Sequence, residues 1–166
     1  MYHEMKIFGF ALDAIAQMPV IILKDTAGEN SVPIWISTQE SVSLAVELIG
    51  RDISSRSGRS DLLTALMQRI GMRIEAIAIE SLRDGVFGAS VRFGGRSRKH
   101  SVDVSVGEAM MAALKYQLPV MVHEDVVKQA PTFDLNEGRL SRENDASRFV
   151  DFLENLDPAA MGKYPM

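Results

Sequence analysis

Apolar residues gather in short runs separated by turn-forming clusters, and the spacing inside each run predicts the element it forms. Residues 5–13 and 18–25 predict two strands joined by a tight connection at 14–17. Pro19 falls at the start of the second, where a missing N–H does least harm. Residues 26–30 form a turn, and the β-branched, aromatic run Val32-Pro33-Ile34-Trp35-Ile36 predicts a third strand. That run breaks directly into Ser37-Thr38-Gln39-Glu40, the spacing of a capping box. There a hydroxyl accepts from the backbone N–H of the third helical residue, and that residue's carboxylate reaches back. Val42, Ala45, Val46 and Ile49 follow at the spacing of one buried helix face, and Gly50 predicts a left-handed stop.

Residues 51–59, rich in serine and arginine, predict an exposed loop. Ser60 predicts an N-cap, with Asp61 in the first turn facing the positive helix end. Leu63, Leu66, Met67 and Ile70 predict a buried stripe that ends at Gly71. Residues 72–81 and 86–93 predict strands around Asp84-Gly85, a hairpin signal. Ala76-Ile77-Ala78-Ile79 does not alternate, which fits either a strand buried on both faces or a bulge. Gly94-Gly95 predicts a second hairpin turn, returning as residues 99–104. Ser105-Val106-Gly107-Glu108 repeats the capping-box spacing before a helix to about 117. Residues 119–123 predict a short strand and 125–129 a short helix.

The order βββ-α-α-βββ-α-β-α lacks strict β-α-β alternation and predicts an α+β fold, a mixed or antiparallel sheet with helices packed on it. The predicted organisation is one domain over residues 1–130, a linker at 131–140, and a C-terminal helix with its tail over 141–166. That last helix carries Phe149, Phe152, Leu153 and Leu156 on one face, a stripe that must cover the main body or a second subunit.

Composition narrows the chemistry more than it shapes the fold. Cysteine is absent, which removes disulfides, thiolate nucleophiles and cysteine-ligated zinc, and fits a reducing compartment. No apolar run approaches the ~18 residues of a membrane span, and the first residues lack the pattern of a signal peptide. A cytoplasmic location is the expectation. The net charge of −4 is unevenly spread. Residues 51–100 hold ten basic side chains against five acidic ones, a net of +5, whereas both flanking segments are acidic. This asymmetry fits either an anionic partner or pairing between the basic and acidic thirds.

His3, His100 and His123 lie far apart and without metal-ligand spacing, and no phosphate loop or nucleophile elbow is present. What remains is carboxylates near arginines. Asp61 follows Arg56 and Arg59, and Glu108 opens the third helix with Asp103 close before it. Carboxylates hold Mg2+ or Mn2+ and arginines steady a phosphate, the parts of a metal-assisted phosphodiesterase. Both carboxylates also have a structural explanation: Asp61 suits a helix dipole, and Glu108 a capping box with Ser105.

From about residue 5 to 129 the chain resembles the bifunctional nuclease domain family. The resemblance rests on Val32-Pro33-Ile34-Trp35-Ile36 with its helix. It also rests on Ser81-Leu82-Arg83-Asp84-Gly85-Val86-Phe87-Gly88-Ala89, which looks like that family's Ser-Leu-x-Asp-Gly-x-Phe-x-Ala hairpin. Asp103 and the helix running into Leu118-Pro119-Val120 fit as well. The resemblance implies an α+β domain, often self-associating, with nuclease activity on DNA and RNA. Relatives carry Arg-Pro-x-Thr-His-Asp where this chain has Arg56-Ser57-Gly58-Arg59-Ser60-Asp61, and Arg-Pro-Ser-Asp-Ala where it has Ser105-Val106-Gly107-Glu108-Ala109. A histidine and an arginine are lost, and one Asp becomes Glu.

The resulting expectation is a divergent metal-dependent nuclease with Asp61 and Glu108 as metal or base carboxylates, Arg56 and Arg59 on phosphate, and Mg2+ or Mn2+ as cofactor. The alternative is a catalytically degenerate, self-associating module on the same scaffold. A third reading is a small-molecule or RNA-binding regulator that uses the basic hairpin at 92–99. Expected partners are nucleic acid and further copies of the chain, with no membrane.

Overall fold

The computed structural model describes residues 1–13, 15–57, 62–133 and 141–142. Three strands open the chain: β1 (Tyr2–Asp13), β2 (Met18–Asp25) and β3 (Ser31–Trp35). Helices α1 (Thr38–Ser57) and α2 (Leu62–Arg69) follow. Next come β4 (Arg73–Arg83), β5 (Val86–Gly94) and β6 (Lys99–Val104), then α3 (Val106–Tyr116), β7 (Val120–His123) and α4 (Glu124–Gln129). A two-residue strand, β8, covers Ser141–Arg142. This is the α+β architecture the pattern of elements predicts.

The sheet order is β3-β2-β1-β7-β4-β5-β6. It consists of two antiparallel meanders, β1–β2–β3 and β4–β5–β6, joined by β7. β7 runs antiparallel to β1 and parallel to β4, and the β4 pairing is made possible by the crossover through α3. β4 is therefore central, and Ile77, Ala78 and Ile79 are fully buried. Both readings of its unbroken apolar run hold, because β4 also carries irregularities in its pairing with β5 at Glu75 and Glu80.

Local chemistry explains the turns. Asp84 and Gly85 take φ of 50° and 77°, the left-handed pair that a two-residue hairpin requires. Asp13 Oδ1 accepts from the N–H groups of Ile15 and Ala16, and its Oδ2 from Trp35 Nε1 at 2.8 Å, tying the β1–β2 turn to β3. Asp25 organises the β2–β3 turn by accepting from Glu29 N, Asn30 N and Asn30 Nδ2. α2 ends in a Schellman motif, in which Met72 N–H donates to Met67 O and Gly71 N–H to Gln68 O.

One face of the sheet holds the main core. Phe10, Ile21, Leu23, Ile34, Ile77 and Ile79 meet Leu44 of α1, Met110 and Leu114 of α3, and Val126 of α4 there. On the other face Ala11, Val20 and Ile22 form a small cluster under Trp35 and Phe133, whose rings meet edge to face at 6.1 Å.

Three expectations are corrected. Gly50 does not stop α1, which continues to Ser57 through most of the stretch expected to be a loop. An internal glycine costs a helix only ~1 kcal/mol, and no proline follows to enforce an end. The buried face of α1 is Ser41, Leu44 and Ala45, whereas Val42, Val46 and Ile49 are 42%, 63% and 42% exposed. Ser41 tolerates burial because its hydroxyl donates to Thr38 O at 2.7 Å. The apolar stripe of α2 is not buried either, with Leu63, Leu66 and Ile70 all more than half exposed. Of the segment expected to form the C-terminal helix, only Ser141 and Arg142 are described. These two residues form a strand against Phe10 and Gly9, extending the edge of β1 beyond the end of β7. The stripe of Phe149, Phe152, Leu153 and Leu156 lies outside the described residues, as does most of the expected linker.

Hydrogen bonds from the Ala16 backbone and the Trp35 indole hold the Asp13 carboxyl below its ordinary value. The Asn30 side chain does the same for Asp25. A depressed folded-state pKa stabilises the fold above the unfolded value of about 3.9, and this contribution is lost as pH falls through the folded value. The thermal midpoint is expected to drop on acidification below about pH 4, and Asp13→Asn to flatten that dependence. Thermal melts of both proteins across the acid range check this, and identical slopes would contradict it.

Candidate active site

The two capping boxes expected from sequence turn out differently, and the difference leaves one carboxylate as a candidate. At α1 both halves form: Ser37 Oγ accepts from Glu40 N at 3.1 Å, and Glu40 Oε2 accepts from Ser37 N at 2.9 Å. At α3 the hydroxyl half forms, with Ser105 Oγ accepting from Glu108 N at 3.2 Å. The carboxylate of Glu108 makes no hydrogen bond or ion pair among the described residues. It is exposed in the first turn of α3 and uncommitted.

Glu40 brings the two helix starts together. Its Oε1 packs on Gly107, where any Cβ would collide with it. Further along, Lys115 Nζ of α3 stands 3.7 Å from Glu47 Oε1 of α1, so the two helices run side by side in the same direction. Glu108 also lines a groove of about 510 Å3 between α2, α3 and the sheet, walled by Leu63, Met67, Phe93, Val102 and Met111. The groove is apolar, with Glu47, Glu108, Lys115 and Tyr116 as its polar lining residues. Thr64 Oγ1 and Tyr116 Oη, 3.2 Å apart, tie α2 to α3 beside it.

Of the expected site residues, Glu108 alone has its side chain described. Asp61 and Arg59 lie outside the described residues. Arg56 falls in the last turn of α1 rather than in a loop. The intervening helix places it about 24 Å from Glu40 along the axis at ~1.5 Å per residue, away from the start of α3. Asp103 alternates with Val102 and Val104 along β6 and so occupies the opposite sheet face from the groove. The histidines have other environments: His123 Nδ1 caps α4 by accepting from Asp125 N, and His100 stacks on Phe93 at 5.4 Å. Sequence reasoning named Glu40 only as a cap. Its contact with Gly107, 67 positions along, is long-range and leaves no local signal.

The profile of the bifunctional nuclease domain matches residues 21–134, about two thirds of the chain. The chain belongs to the bifunctional nuclease domain family. Two similar curated proteins come from Mycobacterium tuberculosis: "Uncharacterized protein MT1877" of strain CDC 1551 / Oshkosh and "Uncharacterized protein Rv1829" of strain ATCC 25618 / H37Rv. Each is 26% identical over 160 residues, covering 93% of this chain and 95% of the relative. The family match begins within β2 and ends just after Phe133, so it takes in β3, Glu40, Gly107 and Glu108. No helix among the described residues is long and apolar enough to cross a membrane.

Replacing Gly107 by alanine is expected to push the Glu40 carboxylate off its seat and destabilise the fold by about 1 kcal/mol, the scale of a lost cap. Denaturant unfolding of Gly107→Ala, Glu40→Ala and the double variant checks the mechanism. The double variant should cost little more than Glu40→Ala alone, and full additivity would contradict the shared contact.

Proposed function

We propose that this member of the bifunctional nuclease family hydrolyses phosphodiester bonds of DNA or RNA, with Asp61 and Glu108 as its metal or base carboxylates. The observation that carries the reading is the Glu108 carboxylate, which the capping-box spacing would have occupied and the fold leaves uncommitted. A carboxylate so placed can take the proton of an attacking water. The family match over residues 21–134 supports nucleic acid as the partner. Carboxylate oxygens suit Mg2+ or Mn2+. Among the described residues no three acidic or histidine side chains are close enough to hold a metal ion, so Glu108 alone is not a metal site. Asp61 is proposed as the second carboxylate, and the described residues do not supply a third. Arg56 and Arg59 are assigned to substrate phosphates away from the scissile bond, given the length of α1. A cytoplasmic setting accords with the lack of cysteine.

The test is cleavage of supercoiled plasmid and single-stranded RNA with Mg2+ or Mn2+. Glu108→Gln and Asp61→Asn should each lower the rate by about 100-fold or more. Glu108→Asp, which restores the shorter carboxylate of the relatives, should retain a measurable part of it. Equal cleavage by wild type and both amide variants would overturn the reading.

A second reading, a self-associating module without catalysis, is favoured by a different observation. Val46 on α1, Leu62 and Leu66 on α2, and Ile70 just after it are each more than half exposed, and α2 buries none of its residues. Exposed apolar surface on adjacent helices is suited to a second copy of the chain. Sedimentation velocity should find a homo-oligomer that Val46→Asp with Leu66→Asp shifts to monomer. A wild-type monomer at all concentrations would contradict self-association.

A further inference from the structure

The end of the sheet away from Glu108 gathers positive charge. α2 finishes with Arg69, β4 begins at Arg73, and the β5–β6 turn carries Arg96 and Arg98. All four are exposed, and none is paired with a carboxylate among the described residues. Lys99 Nζ lies 2.6 Å from Glu75 Oε1, so the acid that lines the cavity among the described residues is already paired. Arg73, Arg96 and Lys99, with Glu75, line a polar cavity of about 590 Å3.

Backbone contacts hold this cluster in shape. Gly95 N–H donates to Arg98 O at 3.0 Å, closing the turn. A Cβ on Gly95 would stand 2.7 Å from the carbonyl oxygen of Gly71, so the turn is pressed against the end of α2. Gly94 is packed more tightly still on the Arg98 carbonyl. Two elements, β4 with Arg73 and the β5–β6 turn with Arg96, thus present guanidiniums to one cavity, and Gly71, Gly94 and Gly95 set its shape. Unpaired arginines repel one another, and an anion with several phosphates relieves that repulsion by bidentate hydrogen bonds.

We propose that this arginine cluster binds the phosphodiester backbone of a nucleic acid, at a site separate from Glu108. The inference rests on the nuclease-family reading of the partner and adds where its backbone lies. β6, the edge strand, runs between the two places. Its run from Lys99 to Val104 covers about 17 Å at ~3.4 Å per residue, which equals about five nucleotides along one strand of B-form DNA at ~3.4 Å each. The cluster therefore acts as a positioning site that holds the backbone several nucleotides from the carboxylate at the start of α3.

Binding of a fluorescein-labelled 20-nucleotide single strand, followed by anisotropy in EDTA from 50 to 200 mM NaCl, tests this on the full chain. For the wild type log Kobs should fall with log salt, each phosphate contact contributing about 0.7 to the slope. Arg73→Ala combined with Arg96→Ala and Arg98→Ala should lower the slope by about 2 and weaken affinity at least tenfold at low salt. The triple variant changes exposed side chains only, and an unaltered circular dichroism melt will verify its fold. No wild-type binding at 50 mM salt, or unchanged affinity and slope in the triple variant, would overturn the inference. The nuclease reading fails differently, by persistent cleavage in Glu108→Gln and Asp61→Asn whatever the triple variant does.

Discussion

One carboxylate performs two structural tasks in this fold. Glu40 closes the α1 cap through one oxygen, bonded to Ser37 N–H, and rests the other on Gly107 of α3. Because Gly107 has no Cβ, the two helix starts approach closely enough for α1 and α3 to run side by side over the sheet. That placement determines which face of α1 is buried. Leu44 and Ala45 enter the core shared with Met110 and Leu114, and Val42, Val46 and Ile49 are left outside. The acidic residue in the first turn of α3 itself, Glu108, makes no hydrogen bond or ion pair with its carboxylate among the described residues.

The candidate site follows from this division of labour between two glutamates at the same capping-box spacing. Glu40 is tied to its own helix cap and to a neighbour. Glu108 sits in the first turn of α3, where the helix dipole favours a negative charge, at the margin of an apolar groove. The arginines lie elsewhere, at the opposite end of β6. The fold thus separates an acidic end from a basic end by the length of one edge strand, and a nucleic-acid backbone is long enough to reach both.

Much of the fold was legible because its signals are local. Asp84-Gly85 has the left-handed pair of a hairpin, Ser37 and Ser105 have their caps, and Gly71 ends α2, each within a few residues of the cue. What local pattern could not supply was orientation. The i, i+3, i+4, i+7 stripe of α1 is real as a pattern, yet the Glu40–Gly107 contact rotates a different face inward. Gly50 has the composition of a stop without the surrounding residues to enforce one. The family resemblance was legible in the strand before α1 and in the Asp-Gly hairpin, and the match over residues 21–134 agrees with it. The candidate site was legible only in part. Glu108 was named as a carboxylate opening the third helix, and its capping-box spacing offered a structural explanation in which the carboxylate is satisfied, whereas it makes no hydrogen bond or ion pair among the described residues. The basic residues of the middle third were visible as composition. Their convergence depends on Gly95 meeting Gly71 across two elements, which no window of sequence contains.

The central claim is that the carboxylate at the start of α3 is a working group rather than a helix cap. Titration of isotopically labelled protein with Mn2+, read by paramagnetic broadening of backbone amides, tests it most directly. The account predicts that the amides of residues 105–109 broaden first, together with those of Glu40 and Ser41 beside them, and that Glu108→Gln abolishes this localised effect. Broadening centred elsewhere, or unchanged in Glu108→Gln, would contradict it.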